Sequence, residues 1–228
     1  MSPCKRAGDR PRDNRPTRRS ERGAVAIEAA IVTGVVFAMI FGILEMAFLM
    51  RDYVGVTSAS RVGARAASTG ASAGTCVPDP ADTVPCPPNG APKLAQMAAD
   101  AIGSARTVLA KDSIDYIMVY KANAAGFPGS ATSMPAMSGC TTSCVAYRWS
   151  ASQNRFRYAQ GSWDSRTINA CATPKAPLYA PLDSVGVQVV FKHKFLTGIF
   201  GSVMDLSDHD VLKFEPLSNL TCAAGEHQ

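Results

Sequence analysis

The apolar positions fall into two regimes. From Ala24 to Met50 the chain runs 27 residues with only two charges, Glu28 and Glu45, and Ala29 to Leu44 carries none. No proline occurs between Pro16 and Pro78. This predicts one helix from about Ala24 to Ala67, about 65 Å long at 1.5 Å per residue. Its apolar part meets the roughly 20 residues a bilayer core requires. After Gly70 the pattern shortens and breaks. The Pro/Gly/Ser/Thr-rich stretch Gly70–Gly90 reads as a loop. Lys93–Lys111 has helical spacing, with Leu94, Met97, Ala98, Ala101, Ala105, Val108 and Leu109 near one face. Ile114–Lys121 alternates as a strand. Ala122–Thr142 is a second loop. Cys144–Trp149 and Arg155–Ala159 suggest a strand pair, and Pro174, Pro177 and Pro181 break the chain again. Val185–Phe195 sets Val185, Val187, Val189 and Phe191 against Gly186, Gln188, Val190 and Lys192. Val211–Pro216 would be the last strand. The expected class is α+β: a long N-terminal transmembrane helix (24–68) continuing into a small head (69–228) with an antiparallel sheet.

Charge sharpens this division. Residues 1–23 hold eight Lys/Arg against three acidic residues, and the remainder holds fifteen of each, so the whole excess of +5 precedes residue 24. A basic domain built for nucleic acid would carry its excess on the folded part; none is expected as a partner. The leader, with Pro3, Pro11 and Pro16, is expected to be disordered over residues 1–20. Basic residues next to a first span stay cytoplasmic. The expected topology is therefore a single-pass membrane protein, N-terminus inside and head outside. A conventional cleaved signal fits less well: the apolar core is long, and the small residues of Ala64-Arg65-Ala66 lie far past it.

The cysteines agree. Cys4 lies in the leader; Cys76, Cys86, Cys140, Cys144, Cys171 and Cys222 follow the span, an even number in an export compartment. Six cysteines allow fifteen pairings. The local pairs Cys76–Cys86 and Cys140–Cys144 are the least costly, which leaves Cys171–Cys222. A metal reading of Cys140-x3-Cys144 lacks a second pair or a His at matching interval, and His193, His209 and His227 are scattered. No metal or cofactor is expected.

Catalytic signatures are also missing: there is no G-x-S-x-G, P-loop or H-E-x-x-H. Asp205, Asp208 and Asp210 around His209 lack the spacing and glycine of an EF-hand and read as a polar turn. Trp149 and Trp163 with Arg155 and Arg157 suit either a surface patch or core packing. The expectation is a protein that is not an enzyme.

The informative stretch is Arg22-Gly23-Ala24-Val25-Ala26-Ile27-Glu28: a basic leader ending at glycine, an apolar helix, and a carboxylate five positions on. It resembles the type IV pilin class, in which a prepilin peptidase cuts after such a glycine. It is more closely similar to the TadE-like proteins of tight-adherence pilus systems, whose further elements match Gly42-Ile43-Leu44-Glu45 and Gly63-Ala64-Arg65-Ala66-Ala67. The resemblance covers residues 21–68. It departs at Ala29, where an aromatic is common, and in lacking a proline near Thr33-Gly34. It implies a pilin-related membrane subunit of pilus assembly or secretion, with Gly23 and Ala24 as the processing site and other pilin-like subunits as partners.

A carboxylate at the edge of hydrocarbon asks for a partner. Cleavage after Gly23 would free an amine on Ala24 to pair with Glu28, in its own chain at helical spacing or in a neighbour's. Glu45, near the outer interface, is expected to be solvated or locally paired, with assembly pairing as the alternative. Ala26, Ala30, Gly34, Ala38 and Gly42 recur every four residues, a ridge that would let helices approach closely in lipid. Gly55, Ala59, Gly63 and Ala67 repeat the pattern beyond the span, and Arg61 and Arg65 stand one turn apart. The competing function is a signal-anchored protein with a ligand-binding or hydrolytic ectodomain.

Overall fold

The computed structural model describes residues 18–77, 86–87, 90–105, 108–171, 181–198, 200–218 and 222, with side chains from Gly23 onward. The leader up to residue 17, and with it Cys4 and the first three prolines, lies outside the described residues, as do His227, Pro174 and Pro177. Helix α1 runs Arg18–Thr69. It starts inside the segment expected to be disordered: Pro16 is the last proline before Pro78, and the Arg and Glu that follow are good helix formers. The chain divides into two units, residues 1–44 and 45–228.

In the first unit every described side chain is exposed apart from half-buried Gly42. Val25, Ile27, Ile31, Met39 and Ile43 are each more than 60% exposed.

The second unit is a three-layer α+β head. Its sheet has strands β1 (Ile114–Ala122), β2 (Cys144–Ser150), β3 (Arg155–Ser162), β4 (Ser184–Lys194) and β5 (Val203–Lys213). Their order is β3-β2-β1-β4-β5, with every neighbouring pair antiparallel. One face packs against residues 45–69 of α1 and against helix α2 (Lys93–Ser104). Val56, Ala59, Ala64 and Ala67 of α1, Leu94 and Ile102 of α2, and Ile117, Val119, Val187 and Val189 of the sheet form this core. Trp163 and Tyr147 are its largest aromatic members.

The other sheet face carries a second core of Tyr116, Met118, Tyr120, Ala146 and Val190, against which Met134 and Met137 of the 123–142 connection pack. Asn123 organises that connection: its Oδ1 accepts from the Ala125 and Phe127 N–H groups and its Nδ2 donates to the Ala131 carbonyl. β4 is thus buried on both faces from Val185 to Phe191 rather than on alternate residues. Gly186 is needed there because the Tyr120 ring lies across it and leaves no room for a Cβ.

Two further expectations are corrected. α2 ends at Ser104, not Lys111. Ala105 turns extended (ψ 139°), and Leu109 is carried to Gly55 of α1, its Cδ2 2.8 Å from where a Cβ would stand. The last strand starts at Val203, eight residues early. Asp205, Asp208, His209 and Asp210 lie along β5 rather than in a polar turn. β5 is an edge strand, and charged side chains facing water suit an edge.

The six head cysteines form three disulfides, Cys76–Cys86, Cys140–Cys144 and Cys171–Cys222. The first closes the loop after α1, the second ties the 123–142 connection to the start of β2, and the third holds the C-terminal segment to the body. The Tyr147 phenol, fully buried in the helix-facing core, has its pKa pushed up by that burial.

Candidate functional site

α1 is the site-bearing element, and its two stretches differ in chemistry. In the first, Gly23 and Ala24 lie within the helix and are exposed, with nothing within 4 Å of a Cβ added at Gly23. Glu28 is exposed and has no partner among the described residues. Ala26, Ala30, Gly34 and Ala38 are exposed, and neither Gly34 nor Gly42 has a neighbour within reach of a Cβ. Four of the five residues of the expected ridge are thus exposed, and Gly42 is half-buried. Each residue of it, like Glu28, points away from any contact within its own unit.

The second stretch is closed. Gly55, Ala59, Gly63 and Ala67 are buried. A Cβ at Gly63 would stand 2.7 Å from Ile102 Cδ1 and 3.0 Å from Val187 Cγ1. The Gly63-Ala64-Arg65-Ala66-Ala67 element thereby has a structural reason: its small residues let α2 and β4 close on α1, while Arg65 faces water, as does Arg61.

Two acidic residues of α1, one near two turns beyond the other, lie on this packed face. Glu45 is 1% exposed, and both the N–H (2.6 Å) and hydroxyl (2.9 Å) of Thr197 donate to its Oε1. It is locally paired rather than solvated. Its Oε2 is buried without a partner. Asp52, 6% exposed, bonds through Oδ2 to Nδ1 of His193 at 2.8 Å, and Arg51 donates from Nη2 to its Oδ1 at 3.0 Å. His193 is buried, its Nε2 unpartnered, with Phe195 edge-on at 4.9 Å between centroids. With Asp52 ionised, Nδ1 carries the proton of this bond. An ion pair or charged hydrogen bond taken out of water demands good geometry; here it clamps the end of β4 to the helix.

Asp52, His193 and Thr197 escaped the sequence reading. A signal existed for His193: it stands in phase with Val185, Val187, Val189 and Phe191, on the side of β4 that meets the helix.

The remaining candidates are structural or peripheral. Trp163 is in the core; Trp149 is half-buried against Phe156, with Lys111 over its ring at 5.3 Å. Arg155 pairs with Asp100 at 3.4 Å, and Arg157 with Gln153. Among the described residues no group of three His, Cys, Asp or Glu side chains is placed to hold a metal ion.

These features define a class: a head of α+β architecture carried on one N-terminal helix that is long and apolar enough to cross a membrane. The family model described as TadE-like protein matches residues 23–65, so this stretch of α1 is similar to that family. The match takes in Gly23, Glu28, Glu45, the small-residue ridge and Gly63. No curated protein and no solved structure matches the chain. The TadE-like segment and the apolar helix together support a membrane protein related to pilus assembly.

Proposed function

We propose that this chain is a TadE-like, pilin-related membrane subunit of a pilus assembly or secretion machine. The first stretch of α1 anchors it in the bilayer, with the basic leader in the cytoplasm and the disulfide-bonded head outside, as the charge asymmetry favours. The single observation that carries the reading is the open stretch of α1. It is an apolar helix surface with a small-residue ridge and one unpartnered carboxylate, inside the TadE-like match. Such a surface is suited to lipid and to other pilin-like helices. The chain then works by packing and charge pairing, not by catalysis, and needs no cofactor or nucleic acid.

Processing by a prepilin peptidase after Gly23 is part of this reading. It would place a new amine on Ala24 within helical reach of Glu28 of its own or a neighbouring subunit. Peptide mapping of the mature N-terminus tests it: a start at Ala24 is expected, and a start beyond residue 50 would remove both anchor and pilin role. Glu28→Ala tests the pairing. It should leave membrane insertion and head folding intact while abolishing co-purification with the assembly partners; unimpaired pilus formation would refute the pairing.

A further inference from the structure

The connection between β4 and β5 is apolar where a hairpin tip is usually polar. Residues 195–204 carry no charge. Leu196 is 73% exposed and Phe200 57%, with Val203 and Met204 about half exposed beside them. Phe195 N–H to Ser202 carbonyl (3.2 Å) closes the tip, and Phe195 and Phe200 lie 6.3 Å apart between ring centroids. A cluster of large exposed apolar side chains marks a contact surface.

The position of the tip says what it contacts. Thr197, between Leu196 and Gly198, is bonded twice to Glu45. Glu45 directly follows the charge-free run Ala29–Leu44, whose sixteen residues span only about 24 Å of a hydrocarbon core about 30 Å thick. Hydrocarbon therefore reaches to about the level of Glu45, and the tip is held at that level. Lys194, exposed at the end of β4 and six residues before Phe200, is suited to reach headgroups.

The carboxylate gives an independent reason. Glu45 at the edge of hydrocarbon is expensive unless paired, and the donors to its Oε1 come from this tip.

We propose that the β4–β5 tip, through Leu196 and Phe200, dips into the outer leaflet beside α1, giving the head a second attachment to the bilayer. The occupant of this surface is lipid. The inference rests on the membrane-spanning reading of α1.

The test uses the full chain with Cys4→Ser, oxidised, and one environment-sensitive label at a time on Leu196→Cys, Phe200→Cys, Met39→Cys or Ser207→Cys. It is reconstituted in phosphatidylcholine–phosphatidylglycerol vesicles containing brominated phosphatidylcholine. Labels at 196 and 200 should be quenched by brominated lipid several-fold more than the label at 207 on exposed β5, and should be shielded from aqueous iodide. Quenching at 39 with none at 196 and 200, and iodide access at both, would overturn the lipid contact and leave the anchor standing. Labels at 196 and 200 shielded from both quenchers would mean a protein occupant and would equally overturn it. An unquenched label at 39 would remove the span itself, and this inference with it.

Discussion

One helix carries two small-residue stripes of the same four-residue spacing, offset by one residue, in two environments. Ala26, Ala30, Gly34 and Ala38 are open on every side. Gly55, Ala59, Gly63 and Ala67 repeat the same spacing and are all buried under α2, β4 and Leu109. The carboxylates divide the same way: Glu28 is exposed without a partner among the described residues, whereas Glu45 and Asp52 are buried with Thr197 and His193 as partners. The difference teaches that a four-residue small stripe specifies close approach without specifying the occupant. Where the chain supplies α2 and a sheet, the stripe is filled from within; where it supplies nothing, the stripe is left for lipid or another helix.

The contrast breaks if the head is not what holds the second stretch. The largest effect is expected from Cys171→Ser with Cys222→Ser. That bridge spans 51 residues, and the chain-entropy relation gives about 4 kcal/mol for a loop of this length. Chemical denaturation in detergent, followed by tryptophan fluorescence, should show the head destabilised while membrane insertion is unchanged. A loss of insertion would show that the two stretches are not independent. Next comes Asp52→Ala, which strands buried His193. A hydrogen bond to a charged group removed in this way costs about 2–3 kcal/mol. The same denaturation reports it, and an unchanged midpoint would deny Asp52 its clamping role.

How much of this was legible depends on how local the determining physics was. α1 was readable because an uninterrupted apolar run and the absence of proline are local facts; cysteine spacing left fifteen pairings open, and the three disulfides formed are the least costly of them. The end of α2 was not: the helical period continues through Val108 and Leu109, and only the demand that Leu109 fill the space over Gly55 pulls the chain out of helix. The first half of β5 was hidden because Asp205, Asp208 and Asp210 look like a turn until the edge position is known. β4 looked one-sided because nothing in its own sequence reveals that the 123–142 connection covers its second face. Thr197 had no signal at all; its role exists only because Glu45 arrives at the same place from 152 residues away.

The smallest expected effect is also the most direct comparison of the two stretches. Gly63→Leu and Gly34→Leu make the same substitution at equivalent points of the period, and each gains about 1 kcal/mol of helix propensity over glycine, so that contribution cancels between them. At Gly63 the new side chain meets Ile102 and Val187 at 2.7 and 3.0 Å already at its Cβ. Overpacking of a filled core should destabilise the head by about 2 kcal/mol. At Gly34 nothing lies within 4 Å, so head stability and insertion should be unchanged, and the defect should appear only in association with other pilin-like helices. Equal stability losses in both variants would mean that the first stretch is packed within the chain after all. A Gly34→Leu chain that associates normally would reduce the open ridge to alanine-rich composition, and the proposal would then rest on Glu28 alone.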